Sequence, residues 1–75
     1  MPDHIQTLHT ARDRLVTDRR AFAEQLAKPY DRGATERARE AFVSIREAIA
    51  AIDAAITDEE QAAAIERSRE ALQGL

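Results

Sequence analysis

One series of apolar residues constrains this chain more than any other feature: Ala38, Phe42, Ile45, Ile49, Ile52 and Ile56, separated alternately by four and three positions. That alternation matches the α-helical repeat, so all six fall on one stripe of a helix and call for a partner helix along its length. Beside it runs a second series, Ala34, Ala41, Ala48, Ala55 and Ala62, each seven residues after the last. A helix with two adjacent packing stripes is expected to have at least two helical neighbours.

The chain has 75 residues, enough for one domain and too few for a large core. At this size a single core rarely contributes more than roughly 3–5 kcal/mol of net stability, and some staple is usual. Cysteine is absent, which excludes disulfides, thiolate nucleophiles and sulfur ligands for a metal. No apolar run is long enough to span a bilayer, and the opening residues lack the pattern of a secretory leader. The expectation is a cytoplasmic protein with no membrane segment, stapled by oligomerisation.

Abundant alanine, glutamate, arginine and leucine, with few strand formers, favour helix throughout. Charge is unevenly placed under a net of −3. Residues 1 to 39 carry eight Lys/Arg against six Asp/Glu, whereas residues 40 to 75 carry three against eight. Opposite signs favour packing one half on the other, within a chain or between chains.

The first helix is expected over about residues 3 to 28, with Asp3 as its cap and Ile5, Leu8, Leu15, Phe22 and Leu26 along its apolar heptad. Pro29 disfavours helical geometry at Lys28 and ends it. The segment from Lys28 to Gly33 is the turn-rich stretch, short enough to make its flanking helices antiparallel neighbours. A second helix, capped at Asp31 or Thr35, follows over about 34 to 56. Thr57 and Glu60 then offer a capping box. At about 100° per residue, Ile65 and Leu72 lie about 180° from the isoleucine stripe. Either the chain breaks near Thr57 into a third helix over about 58 to 73, or one continuous helix presents its tail to something else; the break is expected, because cap signal and phase change coincide.

These elements predict an all-α fold: an antiparallel helical hairpin with a short third helix, dimerising into a four-helix bundle. Its core seam comprises Leu8, Leu15, Phe22, Leu26, Phe42, Ile45, Ile49 and Ile56. The dimer interface is placed on Ala41, Ala48, Ala55 and Ile52, where small side chains allow close approach of helix axes. The reverse assignment, alanines inside and isoleucines outside, fits the same pattern.

Candidate chemistry is sparse. Arg12 and Arg19 fall among the apolar heptad positions, where a guanidinium must reach water along its stem or pair with an acid such as Asp53 or Glu47; the alternative is an anion contact inside a bundle. Tyr30 and Arg32, at the turn, are of the types that anchor protein partners. His4 and His9 stand five apart, on different helix faces, and no metal site is expected.

The cluster Arg12, Arg14, Arg19 and Arg20 on a hairpin resembles the RNA-binding bundle face of ROP-type hairpin dimers. Asp13 and Asp18 interrupt it and no aromatic residue is interleaved, so a solvated face is the expectation. Arg19-Arg20-Ala21-Phe22-Ala23-Glu24, Lys28, Tyr30-Asp31 and Arg39-Glu40-Ala41 resemble, in their order, the motifs of the all-helical chorismate mutases, intertwined dimers that surround a dicarboxylate with arginine, lysine, glutamate and glutamine. The connection after Lys28 is shorter than in that family, and Gln73 departs from its last-helix pattern. The functional expectation is therefore a small non-catalytic interaction or scaffolding module without cofactors, self-associating through its second helix and able to serve a larger protein partner. A nucleic-acid-binding hairpin dimer and a small chorismate-mutase-like enzyme are the alternatives.

Overall fold

The computed structural model describes residues 3–74. It contains two helices, α1 over His4–Ala27 and α2 over Arg32–Gln73, packed against each other as a hairpin. Asp3 caps α1, its Oδ1 accepting from the Ile5 amide at 2.9 Å. Lys28 leaves the helix in extended geometry (φ −74°, ψ 161°), as the following Pro29 requires. Asp31 caps α2: its Oδ1 accepts from the Ala34 amide at 3.1 Å, while its own amide donates to Thr35 Oγ1 at 3.0 Å. Thr35 is buried although polar because its hydroxyl oxygen accepts from the Asp31 amide and its own amide donates to the Asp31 carbonyl at 2.7 Å, so its polar atoms keep partners away from water.

The expected end of the second helix near Ile56, and a separate third helix over about 58 to 73, are not what the chain adopts. The helix passes through Thr57 unbroken. Thr57 does not cap; its hydroxyl donates backward to the Asp53 carbonyl at 3.2 Å. Threonine makes that i−4 bond inside a helix without interrupting the backbone ladder, at a slight cost in stability. No glycine or proline lies between Ala34 and Gln73, so local propensity favours continuation, and a phase change in the apolar pattern alone does not break a backbone.

α1 has 24 residues and α2 has 42, so at about 1.5 Å per residue α2 is nearly twice as long. The molecule is a rod of 66 × 19 × 15 Å. α1 covers the first part of α2 and leaves its C-terminal stretch projecting; every residue from Ala64 to Gly74 is exposed. The isoleucine stripe is the one that meets α1. Ala38, Ile49 and Ile56 are buried, with Phe42, Ile45 and Ile52 half-buried between them. From α1 come Leu8, Leu15, Phe22 and Leu26, all half-buried; no α1 residue is fully covered. Two helices in contact can shield only one line of side chains, so the seam remains open along both flanks.

Candidate interaction surface

Arg12 lies on α1 at the edge of the seam and reaches across to Asp53 on α2. Its Nε donates to Asp53 Oδ1 at 2.6 Å and Nη2 to Oδ2 at 3.4 Å. The hydrogen bond to Asp53, and after it the charge of Asp53, raises the Arg12 pKa above its ordinary value. Side-chain exposures of 38% and 49% put this pair at the rim of the seam, where it sets which residues of α1 face which of α2 more than it adds stability. Arg12 is thus engaged within the chain. Arg19, two turns further along α1, is half-buried as well.

Tyr30 and Arg32 stand exposed at the hairpin tip, Tyr30 with 66% of its surface open. His4 and His9 are exposed on α1, and among the described residues no three His, Asp or Glu side chains converge as a metal site would need. Among the described residues, no helix is long and apolar enough to cross a membrane. Lys28 ends α1 beside the turn, and Gln73 ends α2 at the far tip of the rod. One chain therefore keeps apart residues that a site like that of the chorismate mutases would bring together.

The alanine series lies beside the seam. Ala34, Ala41, Ala48 and Ala55 are half-buried along one flank of the α1 contact, and Ala62, beyond the reach of α1, is exposed. The expected interface residues Ala41, Ala48, Ala55 and Ile52 therefore already give part of their surface to α1.

A second surface, away from the seam, is apolar and exposed. Val43 is 50% exposed, Ile65 55% and Leu72 70%. At about 100° per residue these three, with Ala50 and Ala54, lie within about 40° of a single line along α2, opposite the isoleucine stripe. A shallow depression lined by Phe42, Val43, Arg46, Glu47 and Ala50 lies on this line, and a neighbouring one continues it around Val43 to Arg39 and Glu40. The signal for this surface is present in the sequence as the half-turn offset of Ile65 and Leu72, but it reads as a chain break until the helix is known to be continuous. Comparison with protein-family models, curated proteins and solved structures finds no match.

Proposed function

We propose that this chain is a non-catalytic helical interaction module that self-associates through α2. What supports the reading best is the surplus of surface on the single chain. Its accessible area is 6134 Å², whereas a compact chain of this mass would expose about 4,600 Å². The surplus, roughly 1,500 Å², is nearly twice the ~800 Å² that each partner contributes to a standard interface. Likewise the radius of gyration is 18.5 Å, against about 11 Å for a globular domain of this length. With only Ala38, Ile49 and Ile56 as buried apolar side chains among the described residues, the hairpin has little core of its own and gains most of its further burial by association.

Sedimentation equilibrium of the full chain from micromolar to millimolar concentration tests the proposal. A dimer is expected, with a melting temperature that rises with protein concentration, because association stabilises the folded form by mass action. An ideal monomer across that range, melting at one temperature, would overturn it.

A further inference from the structure

We infer that the second copy docks on the outer face of α2, antiparallel, with the two-fold axis between Thr57 and Asp58. This rests on the self-association proposed above and specifies the surface and the register. The face in question is the line of Val43, Ala50, Ala54, Ile65 and Leu72, opposite α1. Among the described residues outside the hairpin tip, it holds all three of the large apolar side chains that stand exposed.

A two-fold interface must be self-complementary, each position facing its symmetry counterpart. On this face one register meets that demand at several points together. Setting Val43 opposite Leu72 of the second copy also sets Ala50 opposite Ile65, Ala54 opposite Gln61 and Glu47 opposite Ser68. Val43 and Leu72 thereby make an apolar pair, while Ile65, Gln61 and Glu47 each meet a small side chain, as close helix packing needs. Leu72 and Ile65 of one copy arrive at the depression lined by Phe42, Val43, Arg46, Glu47 and Ala50 of the other.

Charge supports the same register. A two-fold axis perpendicular to both helices leaves each flank of one copy beside the equivalent flank of the other. Glu47 and Arg69 project to the same side of the apolar line, about 40° and 80° from Val43, and the register brings them to neighbouring heights in opposite copies, twice by symmetry. The projecting segment 57–73 carries five acidic residues and two arginines, whereas residues 19–46, around the hairpin tip, carry seven Lys/Arg and four Asp/Glu. Antiparallel docking lays the acidic tail of each copy toward the basic end of the other. One contact opposes assembly: Asp58 of each copy approaches its counterpart across the axis. It gives the register a distinguishing signature, because removing this charge should tighten the dimer.

The tail also gains from such a mate on its own account. It continues a helix already nucleated against α1 but has no packing partner of its own within the chain, and its acidic Glu59, Glu66 and Glu70 lie on the side that faces along α1's direction, leaving Ile65 and Leu72 to point away from it. A neighbour for the tail must therefore stand on the side of α2 opposite α1, where the tail of a second copy passes.

The test is the dimer dissociation constant of the full chain and of variants at exposed positions, measured by sedimentation with circular dichroism as the check on folding. Ile65→Asp with Leu72→Asp should weaken association at least a hundredfold while helix content of the hairpin is retained. Glu47→Arg should weaken it several-fold, and Glu47→Arg combined with Arg69→Glu should restore it. Asp58→Asn should tighten it. A wild-type chain that stays monomeric would overturn the self-association itself. A wild-type dimer indifferent to the Ile65 and Leu72 changes but broken by Ala48→Leu would leave self-association standing, overturn the outer face and assign the interface to the alanine flank. An unrestored charge swap with a weakened dimer would overturn the register.

Discussion

Gly33 occupies the second helical position of α2 with ordinary negative φ, so nothing about its backbone demands glycine. A methyl group there would meet only the tip of the Arg37 side chain, at 3.3 Å, and that exposed guanidinium can swing aside. Gly33→Ala should therefore stabilise the protein by about 0.4–1 kcal/mol through the unfolded chain's lost freedom. A thermal melt should show a rise of a few degrees, as about 1 kcal/mol corresponds to roughly 4–8 °C at this size. Asp31→Ala acts in the opposite sense: it removes the acceptor of the Ala34 amide and should cost about 1 kcal/mol in denaturant unfolding. At Ile49, a seam residue only 6% exposed, substitution by aspartate buries an unpaired carboxylate and should abolish the cooperative melt at neutral pH. For Arg12 the hydrogen bond that it donates to Asp53 raises the pKa. The stability so gained is present below the unfolded-state pKa and is lost only as pH climbs through the still higher folded value, so no loss from deprotonation of Arg12 is expected in an unfolding series from neutral to moderately alkaline pH.

At the scale of the element, the continuity of α2 decides what the second half of the chain can do. Were Thr57 a cap, Asp58 would be the first residue of a new helix, a position that accepts proline readily. In a continuous helix, the same proline removes an interior hydrogen bond and clashes with the preceding turn, at about 3 kcal/mol. Asp58→Pro should accordingly lower the helical ellipticity and strip hydrogen-exchange protection from the amides around Ala54 to Glu60, where unchanged protection would favour two helices. The stop at Lys28 is legible as short-range chemistry, a proline ring crowding its predecessor, whereas the start of α2 is narrowed by sequence only to Asp31 or Thr35; the structure takes Asp31, whose carboxylate accepts the Ala34 amide, and uses Thr35 as the acceptor of the Asp31 amide. Thr57 was misread because threonine serves equally as a cap and as a backward donor to the i−4 carbonyl, and the choice depends on what continues beyond it.

For the molecule as a whole, the rod of 66 × 19 × 15 Å is the consequence of pairing a 24-residue helix with a 42-residue one, and it leaves one line of α2 covered and the opposite line bare. The all-α hairpin and its seam follow from periodicity, a property of neighbouring residues, so the order of the amino acids is enough to fix them; a cation near an apolar line needs water or an acid, but that Arg12 takes Asp53, 41 positions away, rather than Glu47 is decided by how the two helices lie against each other. Which of two apolar stripes lies inside was undetermined, because the alanine series and the isoleucine series both satisfy the helical repeat. The tertiary structure assigns the isoleucines to α1, since their larger side chains gain more by leaving water, and leaves the alanines half-covered along the flank. It also decides that Ile65 and Leu72 share a face with Val43. Their spacing states the angle between them in any helix, but an angle carries across Thr57 only when the backbone there is unbroken, and that depends on the whole length of the rod.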